Sequence, residues 1–353
     1  FKNNNLYKNL QFEELSFIRC EFDKKFLITY NKLEENKNTL FKIKKLDLTD
    51  SIFHSKVEMK EINFRRISIF NNTKFNELCD FYGSKFNNIN CFTKTTFNDI
   101  CVFTNVTFKN DVDFKYTTFG KLALFKEAIF EKRLNLEDSI IKEEINFLKI
   151  KTKDKKEIIP ENIANRETAR IIKDSFEKQN NIIEANKFYA LEMKEREDEL
   201  EENLKEGKNF FEWLVFKIHG LTSNHSQDWV LVLFWILSFS FGYSFMACVN
   251  KLLNTKLEYI LIDAFIYLFV IYTSILIINY KKMNKFYLIG LFYIFYVFLS
   301  KDFTLQTFSN NLNPFSIMTE FSELNFSTMI YKITIAYLIY QLIISIRQNT
   351  RRK

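Results

Sequence analysis

One large apolar residue recurs along the first half of the chain at intervals of five and six residues, in strict alternation, from residue 64 to residue 141. Two of the fifteen positions, at the end of the series, are Leu136 and Ile141. The other thirteen are phenylalanine: Phe64, Phe70, Phe75, Phe81, Phe86, Phe92, Phe97, Phe103, Phe108, Phe114, Phe119, Phe125 and Phe130. A short period sustained this long predicts stacked repeats, because each unit is too small to bury its own apolar face. We therefore expect these thirteen rings to form a structural ladder inside one elongated core.

The residue two places before each ladder position is usually small or β-branched, as at Ser84, Thr95 and Cys101. Together the two positions resemble the pentapeptide-repeat family, whose five-residue units each form one side of a four-sided, right-handed parallel β-helix. The resemblance implies that the ladder residue and the small residue before it both point inward. It implies a fold and no particular activity.

The β-helix is predicted over residues 1–148, because Phe12, Phe17 and Phe22 carry an earlier piece of the ladder. The register falters between residues 23 and 45, where we expect a loop insertion. The chain opens on Phe1 rather than Met, already inside apolar-periodic sequence, and we expect that further residues precede it.

The second half of the chain predicts helices and a membrane domain. A charged linker at 149–160 precedes residues 161–207, whose apolar spacing predicts a helical hairpin. Residues 208–228 are rich in aromatic side chains and predict an interfacial segment that lies on a membrane. Residues 229–353 predict a four-helix transmembrane bundle, with spans near 230–249, 259–279, 286–300 and 328–346.

Basic residues set the predicted orientation. They gather at Lys281, Lys282 and Lys285 after the second span and again after the fourth, so the positive-inside rule places both termini and the β-helix in the cytoplasm. Asp263 and Lys332 lie near the outer ends of their spans, where we expect their charges to extend to the headgroups.

The order of repeats, helices and spans also resembles a group of bacterial membrane proteins in which pentapeptide repeats are joined to C-terminal transmembrane helices. The Ser223-Asn224-His225 turn before the first span and the ending from Tyr340 to Arg352 carry this resemblance. It implies a multi-pass protein of the bacterial inner membrane.

The charge balance disfavours a nucleic-acid partner. Fifty Lys and Arg against forty-three Asp and Glu leave a net charge of +7, and residues 46–141 carry thirteen basic and thirteen acidic residues. Some pentapeptide-repeat proteins resemble duplex DNA through a strongly acidic surface, and a neutral prism is a poor DNA mimic. We expect no nucleic acid among the partners.

Candidate chemistry is sparse. The chain has no nucleophile elbow, P-loop, GxGxxG or HExxH motif, so we expect neither catalytic residues nor a cofactor. Cys20, Cys79 and Cys101 occupy the small slot before a ladder phenylalanine, where cysteine acts as a small hydrophobe. His219, His225 and Asp228 are metal-ligand types within ten residues, but we interpret them as a turn at headgroup level and expect no metal site.

These features favour a membrane-anchored scaffold or sensor whose cytoplasmic β-helix docks an unidentified protein partner. The alternative is an ion channel or pore gated by the repeat domain. Thr334, Tyr337 and Gln341 form a candidate polar stripe on one face of the last span, which is suited to lining a pore or to helix–helix hydrogen bonds. The sequence leaves open whether copies of the chain associate.

Overall fold

The computed structural model describes residues 11–28, 41–152, 162–253, 289–290, 293–294, 296–298, 301, 303–313 and 326–350. The chain forms two compact units that divide after Glu199. The first is a parallel β-solenoid of about five coils followed by helices, and the second is helical.

The strands of the solenoid lie on four faces. Within each face, every strand pairs in parallel with the strand one coil away. The first face holds β1 (Gln11–Ser16), β4 (Phe41–Asp47), β7 (Ile62–Phe64), β11 (Lys85–Phe86), β15 (Thr107–Phe108) and β19 (Ile129–Phe130). The second continues from β4 through β8 (Ser68–Ile69), β12 (Asn90–Cys91), β16 (Val112–Asp113) and β20 (Leu134–Asn135). The third holds β2 (Glu21–Phe22), β5 (Ile52–Phe53), β9 (Lys74–Phe75), β13 (Thr96–Phe97), β17 (Thr118–Phe119) and β21 (Ile140–Ile141). The fourth holds β3 (Phe26–Leu27), β6 (Val57–Glu58), β10 (Cys79–Asp80), β14 (Cys101–Val102), β18 (Ala123–Leu124) and β22 (Ile145–Asn146).

Two kinds of corner produce the alternating five- and six-residue spacing. Each five-residue step contains a β-turn in which the residue two after the ladder position has a left-handed backbone, as at Asn72 (φ 52°), Gly83 (φ 67°) and Tyr116 (φ 59°). The turn closes with a backbone hydrogen bond such as that from Thr95 N to Phe92 O, at 3.0 Å. The six-residue steps turn more widely and have no left-handed residue between residues 62 and 147. The left-handed positions therefore recur every eleven residues, twice in each coil.

The core consists of four columns of stacked side chains, one under each face. In the first column the ring centroids of Phe64, Phe86, Phe108 and Phe130 follow one another at 4.5, 5.1 and 5.3 Å. Rings of neighbouring columns meet edge to face, as Phe97 and Phe103 do at 90°. All thirteen ladder phenylalanines are at most 1% exposed. The spacing within a column follows the ~4.8 Å distance between adjacent strands, so aromatic stacking and strand pairing reinforce each other.

Buried hydroxyl groups tie successive coils together. The hydroxyl of Thr73, Thr95 or Thr117, each in the small slot after a tight turn, donates to a ladder carbonyl of the coil before it at 2.7 Å. Ser84 makes the equivalent bond to Met59 O, also at 2.7 Å. A buried carbonyl without a donor loses free energy. The sequence preference for small polar residues in this slot therefore supplies hydrogen bonds as well as space.

Replacing Thr95 with valine is expected to lower the free energy of unfolding by about 1 kcal/mol, because Phe70 O loses the Thr95 hydroxyl and keeps only the backbone donor Thr73 N, while the volume is kept. Val106 occupies the equivalent slot on another face and provides the matched control. Val106→Thr is expected to leave stability unchanged or to raise it by up to about 1 kcal/mol. Urea unfolding followed by proteolysis measures both variants. Equal losses for the two changes would show that packing, and not the hydroxyl, sets the effect.

Helix α1 (Arg166–Lys178) and the larger part of helix α2 (Ile182–Lys205) belong to the first unit. Helix α1 places Ala169, Ile172 and Phe176 in the same core as the ladder. Its Ser175 hydroxyl donates to Ile145 O at 2.7 Å, and Leu136 N donates to the Thr168 hydroxyl at 2.9 Å. Helix α1 thus covers the last coil and satisfies backbone groups there. Helix α2 follows, and its Phe188 stacks on Phe176 at 5.6 Å.

The second unit contains helices α3 (Phe210–Ser223), α4 (Trp229–Leu253), α5 (Gln306–Leu312) and α6 (Phe326–Thr350). Helices α4 and α6 pack against each other in opposite directions. Between α4 and α6, Tyr243 stacks on Tyr331 at 3.9 Å. Helix α4 also contacts α3, because Trp235 donates from its indole nitrogen to Leu221 O. The buried core of this pair includes Val232, Ile335 and Leu338.

The described residues support one candidate membrane span rather than four. In α6, Thr328–Thr350 is long and apolar enough to cross a membrane, and Trp229–Ser244 in α4 is a shorter apolar stretch. The predicted span at 259–279 lies outside the described residues, and the one at 286–300 is described only in part. The four-helix transmembrane bundle therefore stays a prediction.

Two local expectations need adjustment. The loop insertion predicted over residues 23–45 contains strand β3 and the start of β4, so part of that region belongs to the coils. Phe147 lies six residues after Ile141, is fully buried, and stacks on Phe125 at 5.2 Å. The ladder thus runs one step further than the predicted series, and the same alternation would have located it.

Candidate functional site

The outer surface of the solenoid is crossed by ion pairs between adjacent coils. Lys121 pairs with Asp99 at 3.0 Å and Lys115 with Glu137 at 2.8 Å, each across about one coil. The hydrogen bond from Lys121 holds the pKa of Asp99 below its usual value. Exposed pairs contribute little stability individually, but they neutralise the surface locally. Where these pairs form, opposite charges lie side by side on the surface. The surface there does not present charge of one sign to a partner.

One corner of the solenoid exposes two large apolar side chains on adjacent coils. Ile67 and Ile89 lie one coil apart, where the first face turns into the second, and are 43% and 47% exposed. Arg65 and Arg66 precede Ile67, are exposed, and form no ion pair with any described residue. We call Arg65, Arg66, Ile67 and Ile89 the isoleucine corner. It combines adjacent apolar side chains with two uncommitted positive charges.

The opposite corner offers a contrast within the same coils. There Asn98 donates to Asn76 at 2.8 Å, and Asn76 lies 3.1 Å from His54, so the exposed side chains form a polar column. The sequence analysis missed the isoleucine corner because it followed the inward positions. The signal was present as two isoleucines 22 residues apart, each directly before an inward slot.

The candidate polar stripe of the last span divides into separate contacts. Thr334 donates to Ile330 O of its own helix at 2.9 Å. The Tyr337 hydroxyl lies 3.5 Å from the Thr222 hydroxyl of α3, and Gln341 accepts from the Ser223 hydroxyl at 3.4 Å. Gln341 is buried. The structure thus brings Tyr337 and Gln341 to the end of α3, where they make hydrogen bonds between helices.

Lys332 differs from the expectation for a charge near the end of a span. Its side chain is buried rather than extended outward, and its ammonium donates to Asn313 O at 2.7 Å. Asn313 is the C-cap of α5, where the helix dipole favours a cation. Lys332 therefore fixes α5 against the start of α6.

The buried cysteines are structural. Cys79 and Cys101 face each other on adjacent strands of the fourth face, and both are free thiols. Burial raises the pKa of each thiol well above its usual value, which removes the reactive thiolate. Within the described ranges, no group of three or more His, Cys, Asp or Glu is placed to hold a metal ion.

The repeated geometry agrees with the comparison to known families. Residues 92–140 match the family described as pentapeptide repeats, in nine copies. This segment is a pentapeptide-repeat domain. The columns that pass through it extend on both sides, from Phe53 to Phe147, so the solenoid is longer than the matched segment. No curated relative and no solved structure matches the chain.

Proposed function

We propose that this protein is a membrane-anchored scaffold or sensor whose pentapeptide-repeat solenoid docks a protein partner at the isoleucine corner. The observation that carries the proposal is the exposure of Ile67 and Ile89 on adjacent coils, at a corner that also exposes Arg65 and Arg66. Contiguous exposed apolar side chains on a rigid surface are typical of interaction sites. The exposed charges of Arg65 and Arg66 favour a partner segment that carries acidic residues beside apolar ones.

Two helices of the second unit support anchoring to a membrane. The 23-residue stretch Thr328–Thr350 has the length that a bilayer requires. Helix α3 exposes Phe211, Val215 and Ile218, at 78%, 64% and 43%, along one side. Its end contacts Tyr337 and Gln341, near the middle of α6. Burial of the exposed stripe in the boundary region of a bilayer would remove these apolar side chains from water.

The finer placement is also part of the proposal. We place the protein in the bacterial inner membrane as a multi-pass protein with four spans, with the repeat domain in the cytoplasm. The free thiols of the solenoid suit a reducing compartment. No observation specifically favours the channel alternative, since Tyr337 and Gln341 are engaged in contacts with α3.

Photo-crosslinking in living cells tests the docking site. A photoreactive residue replaces Ile89 in the full-length protein, and the matched control carries it at Asn98 on the opposite corner. We expect an adduct with another polypeptide at position 89 that is severalfold stronger than at position 98. The added change Ile67→Glu should reduce that adduct. Equal yields at both corners, no adduct, or an adduct of two copies of this chain would overturn the proposed docking of a separate partner.

A further inference from the structure

The connection between α3 and α4 is an unusual turn. Asn224, His225 and Ser226 have left-handed backbones in succession, with φ of 47°, 53° and 66°. Such conformations are unfavourable for residues with a side chain and persist where the surrounding contacts hold them. The turn folds back on the end of α3, and Ser226 N donates to the Ser223 hydroxyl at 2.9 Å. It therefore brings the side chains of His225 and Ser226 onto His219.

His219 is the centre of a hydrogen-bonded chain. Its Nδ1 lies 3.3 Å from Nδ1 of His225, and its Nε2 lies 3.2 Å from the Ser226 hydroxyl. His225 and Ser226 are 5% and 3% exposed. A neutral imidazole carries one N–H, so one histidine donates and the other accepts across the Nδ1 pair. If both rings are protonated, neither Nδ1 accepts, and two positive charges face each other beside the half-buried His219.

The same region holds α3 against two other helices. Trp235 of α4 donates from its indole nitrogen to Leu221 O at 3.0 Å. Tyr337 and Gln341 of α6 contact Thr222 and Ser223, the residues that follow Leu221. The α3 residues in these contacts lie two to four residues after His219, and their partners come from α4 and α6. Loss of the imidazole pair would therefore loosen the end of α3.

We propose that His219 and His225 form a proton-sensitive latch that holds the end of α3 and the following turn against α4 and α6, and that acidification releases it. The latch rests on contacts within the helical unit and goes beyond the docking function, which involves the solenoid. Proton uptake at the pair would change the position of a helix that we place on the membrane surface.

None of the acidic residues that the structure describes is placed to stabilise a protonated His219. On α3, Lys217 is paired with Glu201 of α2 at 2.6 Å. In the turn, Asp228 accepts from Leu231 N at the start of α4, and α4 has no other charged residue before Lys251. From α6, His219 faces the neutral Gln341, and the next charged residue towards the end of that helix is Arg347. His225 is the titratable neighbour.

The direction of the pH effect follows from these surroundings. Burial, and next the repulsion from His225, lower the pKa of His219, while a hydrogen bond with Gln341 opposes the shift. In the released state the imidazole regains its usual pKa of about 6.5. The latched state is thus favoured above about pH 6.5 and loses stability as the pH falls below that value, towards the lowered pKa of the latched form.

Tryptophan emission provides a direct readout, because the three tryptophans, Trp213, Trp229 and Trp235, all lie in α3 and α4. The full-length protein in lipid nanodiscs is titrated from about pH 8 to pH 5, above the range of most carboxylates. We expect the emission to shift to longer wavelength as the Trp235 contact opens. His219→Gln should abolish the shift. His54→Gln, which removes the exposed histidine of the solenoid, should retain it.

A second variant keeps the test decisive if His219→Gln folds poorly. His225→Gln removes the repulsion on His219 but keeps a hydrogen-bonding group beside it, so a protonated His219 destabilises the latched state less and the transition should move to lower pH or disappear. Absence of any shift in the unsubstituted protein would overturn the proposal. A shift that survives in His219→Gln, or a midpoint that His225→Gln leaves in place or raises, would do the same.

Discussion

Replacing Phe97 with alanine is expected to lower the free energy of unfolding of the solenoid by about 3 to 5 kcal/mol. Phe97 is 1% exposed and lies between Phe75 and Phe119 in its column, with centroid distances of 5.2 and 5.7 Å. Its ring also meets Phe103 of the next column edge to face. Removal of the ring leaves a cavity that neighbouring coils cannot fill, because their spacing is fixed by strand pairing.

The measurement is pulse proteolysis of the full-length protein across a urea gradient. Asn98→Ala is the matched control, since Asn98 is the next residue, points outward, and makes an exposed hydrogen bond to Asn76. It is expected to cost less than about 0.5 kcal/mol. Equal losses at positions 97 and 98 would show that the assignment of inward and outward positions is wrong.

Cysteine labelling in intact cells is expected to distinguish the two ends of α6 completely. Ser309 is exposed on α5, which Lys332 fixes near the start of α6, whereas Gln348 lies in the last turns of that helix. The 25 residues of α6 extend about 37 Å, enough to separate the labels by a bilayer. Ser309→Cys should react with a membrane-impermeant maleimide in intact cells, and Gln348→Cys only after permeabilisation.

The unsubstituted protein is the control for labelling, because it sets the background from the native thiols. Reaction of Gln348→Cys in intact cells together with protection of Ser309→Cys would invert the topology and place the solenoid outside. Reaction of both positions without permeabilisation would remove α6 as a membrane span.

The sequence predicted the ladder well because its cause is local and repeated. Each inward phenylalanine needs a neighbour one coil away, so the pattern appears directly in the spacing. The reason for the alternation was not predictable in the same way. The left-handed position two residues after the ladder is glycine at Gly83 but lysine at Lys94 and tyrosine at Tyr116, residues that carry no turn signal.

The helical unit was less predictable because its contacts depend on tertiary packing. Tyr337 and Gln341 were recognised as one polar face, but a period of 3.6 does not reveal which helix that face meets. His219 and His225 were recognised as neighbours in sequence, yet their contact requires three successive left-handed residues that no composition signals. The burial of Lys332 could not be predicted from its own span, because its partner, Asn313 O at the end of α5, lies 19 residues away in the sequence.

Because the tight turns recur every eleven residues, the solenoid can change in length only by whole or half coils. Addition or removal of 22 residues would shift the isoleucine corner by about 4.8 Å along the axis and leave its direction unchanged. A change of eleven residues would keep every phenylalanine facing inward but turn that corner to the opposite side. A change of one residue would move the phenylalanines that follow it out of their inward positions. Length variation in such a domain is therefore quantised, and the reach and the direction of its surface can be altered independently of its core.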